Sequence, residues 1–524
     1  AENPLSRGIG STQYIKNRME GARQSQCASL SGAPLGASLA ERGAVSAGLA
    51  VAAGLAVRLW MLHWAFEVNG DSLVYGGIAK NLLLHGRYAL SANGILYPTL
   101  LRLPGYPLFL AACFRLFGIE NYYAAACVQI GLELAGCLLL AGFASRAARM
   151  VRGADAGLAR RAGLATLWLA ALCPFTAAYA VEPLAEAPTL FLLALAMGSM
   201  AAFQERPAWP SGLLFTLAVT AAALLRPDGA LAAVAFAPAM FRAALGCRGG
   251  LESIGARLRP LDAGRAVSGA AAAKQASLRR LMAVCILLAV TPFAAWTWRN
   301  WRVFHLLQPL APRLATDPGE SPNPGWERWV KTWCLDFNST YNIYWNVPGD
   351  VLDVRALPAR AFDSDAEFAA TVALARDYNT QGEKLSPVLD ARFAALARAR
   401  IAAHPLRYYL WLPLGRLADM GLRPRVENLP IDLDWWVYAH HRRETVLSWG
   451  FAALNAGYIL LAGFGLWLRP RFWKALLAYL VLRSLLLLTV EAPEARYTLE
   501  FFPMLTALAG IAVAAATRGR RPAA

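Results

Sequence analysis

Ten apolar blocks run along the sequence, each near the length a helix needs to cross a bilayer. They fall at 44–65, 122–143, 162–181, 184–203, 209–225, 229–241, 281–298, 447–468, 475–490 and 500–517. About 20 apolar residues in helical form span the hydrocarbon core. Inside that core every backbone N–H and C=O must be satisfied within its own segment, so such blocks are read as helices. The pattern predicts an all-α polytopic membrane protein with about 10 transmembrane helices, in the range 9–13. Block 229–241 is short, and 105–118 is a candidate to share a crossing with it. Composition agrees: 57% of residues are hydrophobic and 16% charged, against roughly half and a quarter in a soluble domain. A disordered chain is excluded, because such chains are poor in apolar residues. Eight cysteines in 524 residues exclude a small disulfide scaffold.

The formal net charge of +17 would fit a nucleic-acid binder, but its distribution argues for topology. Lys and Arg collect in the cytoplasmic loops of membrane proteins. With the N-terminus inside, the inner segments hold 25 basic and 7 acidic residues, and the outer segments 23 and 25. The excess therefore lies on one side, and no nucleic-acid partner is needed to explain it. The resulting organisation is a cytoplasmic segment 1–43, a transmembrane core 44–298 with a first external loop 66–104, a large external domain 299–446, transmembrane helices 447–517 and a cytoplasmic tail 518–524. Residues 1–43 carry five basic residues and no apolar h-region, so no cleavable signal peptide is expected. No disulfide pair is expected, since Cys113, Cys127, Cys137, Cys173 and Cys285 lie in apolar blocks, Cys27 and Cys247 lie inside, and Cys334 is alone outside. The runs 386–402 and 405–421 read as amphipathic helices, the second lying on the outer interface. Trp411, Trp435 and Trp436 suit that depth. The Pro-rich run 309–325 reads as a loop.

The first external loop carries the densest polar pattern. It opens Asn69-Gly-Asp71-Ser-Leu-Val-Tyr75 and continues through Lys80-Asn81 to His85-Gly86. After a turn comes Tyr97-Pro-Thr99-Leu-Leu-Arg102-Leu-Pro104-Gly-Tyr106-Pro107. Asp71, Tyr75 and Ile78 share one helical face. Pro104 and Pro107 restrict the chain entering the next apolar run and so fix the position of Arg102.

The pattern D-S-x-x-Y-x-x-x-A-x-N-L-L-x-x-G followed by P-T-x-x-R-x-P-G-Y-P-L-F-L-A resembles the bacterial branch of the glycosyltransferase C superfamily. That branch includes relatives of the protein O-mannosyltransferases (glycosyltransferase family 39) and the 4-amino-4-deoxy-L-arabinose lipid A transferases. Weaker echoes follow at Glu182-Pro-Leu-Ala-Glu186, Leu225-Arg226-Pro227, Arg299-Asn300 and Pro493-Glu494-Ala-Arg496-Tyr497. The resemblance covers roughly 50–310 and 440–517; 310–440 matches only in being a large external insert. It implies an inverting glycosyltransferase of the bacterial cytoplasmic membrane with its active site facing the periplasm. Nucleotide sugars are cytoplasmic, so the donor implied is a polyprenyl-phosphate sugar. The acceptor is a hydroxyl on lipid A, another glycolipid, a glycan or a protein.

The chemistry sets roles for these residues. An acceptor hydroxyl needs a base, and a carboxylate within hydrogen-bond reach supplies one; Asp71 is the candidate. The leaving polyprenyl phosphate gains charge and calls for a guanidinium or ammonium. Arg102, Lys80, Arg299 and Arg496 are the candidates. Tyr75, Tyr106, Glu182, Arg226 and Tyr497 are candidate substrate-binding residues. Each has a plainer reading. Asp71 suits a helix N-cap, Arg102 a snorkelling side chain, Glu182 and Glu186 a solvated turn, and Arg226 and Asp228 a local ion pair. No metal site is expected: His440-His441 lacks ligand spacing, and no cofactor is required. A divalent metal is compatible with the related aminoarabinose transferases but not indicated. Asp363-Ser-Asp365 reads as surface, since an external loop meets no nucleotide. The rival classes are a lipid or glycolipid flippase without chemistry, which calls for ionisable residues within helices, and an assembly subunit whose external insert binds partners.

Overall fold

The computed structural model describes residues 35–151, 157–244, 264–312, 322–429, 431–432, 434 and 436–517. The expectations for residues 1–34, Cys27, Cys247, Trp435, most of the Pro-rich run and the tail 518–524 lie outside the described residues. The chain forms two compact units, Ala1–Ala50 and Val51–Ala524. In the first, the described residues are helical. The second holds everything that follows.

All ten predicted crossings fall on helices. Among the described residues six are long and apolar enough to span a bilayer: Glu41–Trp64, Tyr122–Ala148, Glu186–Glu205, Ala273–Phe304, Arg442–Trp467 and Ala495–Ala516. A seventh is a pair, Leu158–Ala171 and Pro174–Ala180, bent by 54°. Pro174 explains the break, because its ring clashes with a helical carbonyl one turn back. Gly105–Phe117, Trp209–Leu225 and Pro227–Phe241 are shorter apolar helices. At 1.5 Å per residue, 13 to 17 residues reach only about 20–26 Å, less than the roughly 30 Å hydrocarbon core.

The helix Tyr122–Ala148 packs on Leu158–Ala171 and Glu186–Glu205, and Phe502–Ala516 packs on Leu158–Ala171 and Arg442–Trp467. Two charges inside this bundle are paired: Arg58 with Glu133, and Arg483 with Glu500. Arg58 and Arg483 are both fully buried. Charges at membrane depth are expected to find such partners.

The first external loop is one helix, Gly70–His85, and a two-stranded hairpin, Ala89–Ala92 with Ile95–Pro98. The hairpin replaces the plain turn expected there. Ala92 pairs with Ile95 across Asn93 and Gly94, both at positive φ, 50° and 78°. That is the preferred pair for a two-residue hairpin turn. The hairpin is tied to the helix by Asn81, whose buried side chain donates to the Ala89 carbonyl at 2.9 Å and to Ser91 Oγ at 3.0 Å.

The insert has its own core. Trp326, Trp329 and Trp333 recur on one helical face, are all buried, and pack with Phe393 and Tyr378. Asp390 accepts from the Gly325 and Trp326 amides at 3.0 and 2.9 Å. The predicted helix 386–402 is observed as Pro387–Ala403, and 405–421 as Arg407–Trp411 followed by Leu412–Leu422. The latter is polar inward: Arg416 is fully buried and donates to the Lys331 and Cys334 carbonyls. Leu406, Tyr409, Leu410 and Trp411 are exposed. Apolar residues facing outward fit a helix against lipid. Asp363 pairs with Arg407 and Arg400, and Ser364 caps Asp365–Thr380, so the Asp-Ser-Asp run has a structural role.

Candidate active site

Asp71 lies in the first turn of the helix Gly70–His85, and it is not the cap. Asn69 takes that role, accepting from the Ser72 amide at 3.1 Å. The Asp71 carboxylate is thereby free to point elsewhere, and it meets two guanidiniums. Arg102 Nη2 donates to Oδ1 at 2.5 Å, and Arg496 Nη1 donates to Oδ2 at 2.7 Å. Burial alone raises the Asp71 pKa, but the Arg496 and Arg102 charges and hydrogen bonds outweigh it and hold the group at about 2. Arg102 Nε is buried without a hydrogen-bond partner.

Arg102 is placed by its neighbours on both sides. Tyr88 donates its hydroxyl to the Arg102 carbonyl at 3.0 Å, and the Arg102 guanidinium lies 5.4 Å from the centre of the Tyr75 ring, within cation–π range. Three residues on, Gly105 presses against another helix end. A Cβ there would sit 2.5 Å from the Leu224 carbonyl carbon and 2.6 Å from the Leu225 nitrogen. Only glycine allows that approach. It brings the Arg102 segment beside Arg226, the next residue after Leu225.

Arg226 is more than half of a local pair. Its guanidinium reaches Glu186 at 2.6 Å, Asp228 at 3.4 Å and Glu500 at 3.4 Å. Arg483 holds Asp228 at 2.9 Å as well as Glu500. The network runs across four segments far apart in the chain. Glu186 is 3% exposed, which corrects its reading as a residue that solvates a turn.

Asp71, Tyr75, Arg102, Arg226, Arg496 and Tyr497 line one cavity of about 580 Å³ together with Glu186 and Asp228. Leu103, Leu225, Leu231 and Leu486 give it an apolar wall. A second cavity of about 1240 Å³ is lined by Glu182 and Glu427, among others, and Arg496 and Leu184 line both. Arg496 is held there by Glu494, at 2.5 Å. Burial raises the Glu182 pKa to about 8, with Glu186 adding to the effect and Arg496 opposing it. Its Oε1 accepts from Asn428.

Three predicted site residues stand elsewhere. Lys80 pairs with Glu120 at 3.0 Å on an exposed surface, because its helix face points away from Asp71. Arg299 donates to the Thr99 and Tyr88 carbonyls, both at 2.8 Å, and its guanidinium packs near the rings of Tyr88, Trp296 and Phe304. It braces the hairpin instead of facing the cavity. Tyr106 is fully buried, lies edge-on to Tyr75 and donates to Gln129 Oε1 at 2.6 Å. Gln129 in turn donates to the Glu182 carbonyl at 2.6 Å, so Tyr106 supports the site from behind.

The sequence reading missed Gln129, Glu427, Glu494 as an Arg496 partner, and the Arg226 network. Glu494 was within the quoted Pro-Glu-Ala-Arg-Tyr run, so its signal was present; the others are joined only by the fold. Asp432, Asp434 and His441 also gather, with their ligand atoms within 4.8 Å of one another. Both carboxylates are exposed, at 68% and 55%, and contact the imidazole at 3.3 and 3.4 Å. Exposed acidic groups commonly gather in this way without an ion.

No protein-family model matches the chain, and no curated protein matches it. Among solved structures it is similar to the crystal structure of ArnT from Cupriavidus metallidurans bound to undecaprenyl phosphate, at 15% identity and a TM-score of 0.35, over 90% of this chain and 78% of that one. It is similar to the apo structure of the same protein at 15% identity and a TM-score of 0.32, over 91% and 78%.

Proposed function

We propose that the protein transfers a sugar from a polyprenyl phosphate to a hydroxyl-bearing acceptor at the outer face of the cytoplasmic membrane, with inversion at the anomeric carbon. The observation that carries this reading is the juxtaposition of Asp71 with Arg102 and Arg496 in a cavity that has an apolar wall. A phosphate on an apolar chain needs both features: guanidiniums for the charge and leucines for the first isoprene units.

In this reading the donor phosphate docks on Arg102 and Arg496. Asp71 takes the proton from the attacking hydroxyl as the new glycosidic bond forms. The bond from the anomeric carbon to the phosphate oxygen breaks, and the phosphate leaves with its electron pair. The two guanidiniums stabilise that developing charge. Tyr75 fixes Arg102, and Tyr497 and Glu494 fix Arg496. Arg226 is locked in carboxylates and maintains the cavity wall.

The experiment is transfer of radiolabelled sugar from a polyprenyl-phosphate donor by the purified protein in lipid nanodiscs, compared with Asp71→Asn. The expected result is transfer by the wild type and its loss in the folded variant. Equal rates in the two proteins would remove Asp71 from the chemistry.

A further inference from the structure

We propose that the second cavity binds the acceptor as a sugar ring that carries no phosphate, held by Glu182 and Glu427 and stacked on Tyr341 and Trp345. The proposal rests on the transferase reading for the role of its occupant. The chemistry of the occupant is argued from the cavity alone.

The first argument is charge. The cavity lining includes six carboxyl groups, Glu67, Glu182, Glu427, Asp432, Asp434 and Glu494, of which Glu182 holds its proton, against one guanidinium, Arg496. The neighbouring cavity has three of each sign: Asp71, Glu186 and Asp228 with Arg102, Arg226 and Arg496. A phosphorylated head group would meet mostly like charge in the larger space, and such juxtaposition disfavours a partner. A neutral or amine-bearing ring would not.

The second argument is an open acceptor. The Glu427 side chain is only 6% exposed, and both of its carboxylate oxygens are buried with no hydrogen-bond partner. Arg423 Nε forms an ion pair with it at 3.6 Å, which is beyond hydrogen-bond distance. Buried carboxylate oxygens are nearly always satisfied in a folded protein. Glu427 lines the cavity, and its carboxylate receives no hydrogen bond from the protein, so a ligand hydroxyl or ammonium that reaches it would supply the donor. Glu182 is 8% exposed and also faces this space.

The third argument is shape. Phe337, Tyr341 and Trp345 recur every four residues, so they share one helical face, with ring centroids 5.6–6.1 Å apart. Tyr341 and Trp345 remain 48% and 46% exposed, and both line the cavity. Asn338 and Asn342 line it beside them and are bonded to one another at 2.5 Å. Flat aromatic faces beside amides and carboxylates suit a pyranose, whose C–H face is apolar and whose rim is hydroxyl. Because Arg496 is a wall of both cavities, a ring here adjoins the Asp71 carboxylate.

The test uses the full-length protein in nanodiscs with EDTA present, reading tryptophan fluorescence and calorimetry. The probes are the tetramer of N-acetylglucosamine, its de-acetylated tetramer, and a phosphorylated N-acetylglucosamine tetramer. The first two are expected to bind, and the third at least tenfold more weakly. Trp345→Ala and Glu427→Gln are each expected to weaken tetramer binding about tenfold, with Trp345→Phe close to wild type; all three are expected to bind a polyprenyl phosphate normally, which also shows that they are folded. The proposal is overturned if neither unphosphorylated tetramer binds, if the phosphorylated tetramer binds as well as the others, if binding requires added divalent metal, or if both weakening variants behave as wild type. Tetramer binding by a wild-type protein that transfers no sugar would sink the transferase reading and leave the cavity assignment standing. Transfer without tetramer binding would do the opposite.

Discussion

Asp71 and Arg496 lie 425 positions apart in the sequence, and their side chains meet at 2.7 Å. The first external loop and the start of the last crossing therefore close on one another. The insert holds the second partner in place: Thr340 donates to the Pro493 carbonyl at 2.9 Å, and Arg425 to the Ala495 carbonyl at 3.1 Å.

Asp71→Asn is expected to cut transfer by about 10²–10⁴, the usual contribution of a positioned proton acceptor. The protein should remain folded but melt lower. The Asp71 pKa is about 2 in the fold against an ordinary 3.8. A lowered carboxylate pKa contributes stability above 3.8 that is lost as pH falls towards 2, and the amide forfeits it. That contribution is roughly 2 kcal/mol. Melting and transfer measured on one preparation check both statements.

For the donor phosphate, Arg102→Ala and Arg496→Ala are expected to weaken binding of a polyprenyl-phosphate analogue about tenfold or more, the loss of a charge-assisted contact. Arg102→Lys should lie between Arg102→Ala and wild type, since an ammonium cannot bond in the bidentate way. Lys80→Ala should bind normally, because Lys80 is committed to Glu120 at the surface. Titration of the analogue against this set decides. Normal binding by Arg102→Ala would leave that residue as an interface anchor.

Glu182 makes stability depend on pH. Its pKa is about 8 in the fold and 4.5 ordinarily, so the folded state holds a proton that the unfolded state releases. The sign follows: its stabilisation is complete below 4.5 and is lost as pH rises to about 8. Melting temperature should fall over that window, and Glu182→Gln should flatten this part of the curve. An unchanged slope in the variant would contradict the assignment.

Arg483→Met leaves Glu500 buried without its strongest partner and Asp228 with one fewer. Removing one side of a buried pair costs about 3–5 kcal/mol. The variant is expected to lose thermal stability sharply, and Arg483→Met with Glu500→Gln should recover part of it. Unfolding midpoints of the single and double variants check the coupling.

For topology, a cysteine placed at Asp365 in a cysteine-free background should react with a membrane-impermeant reagent added outside, and one at Arg257 should not. Residue 257 lies outside the described residues, so this rests on the charge distribution alone. The reverse pattern would move the Asp71 site to the cytoplasmic side.

Much of the fold was legible because apolar length and helical period are local properties. The ten blocks became helices on that basis. Asp71, Tyr75 and Arg102 were legible as a group because two prolines and a short loop confine them. The hairpin has a local signal too: Asn93-Gly94 is the preferred pair for a two-residue hairpin turn. What could not be read was which arginine meets which carboxylate. Arg226 and Arg299 look alike in sequence, each at the end of an apolar run. One faces the cavity because Gly105 draws its helix end against the first loop, and the other braces that loop's backbone. Likewise, nothing local separates Tyr106 from Tyr75, though one is sealed behind the other.

The double grip on Asp71 has a kinetic consequence. A carboxylate held by two guanidiniums is a poor proton acceptor, so the resting site is silent towards water and stray hydroxyls. In the proposed mechanism a donor phosphate competes for those same two cations, and its arrival weakens their hold on Asp71. Proton transfer to Asp71 in that mechanism waits for the donor, whether or not the acceptor is already seated. Adding a polyprenyl phosphate without sugar to the resting protein should therefore raise the pH at which the Asp71 carboxylate takes up a proton.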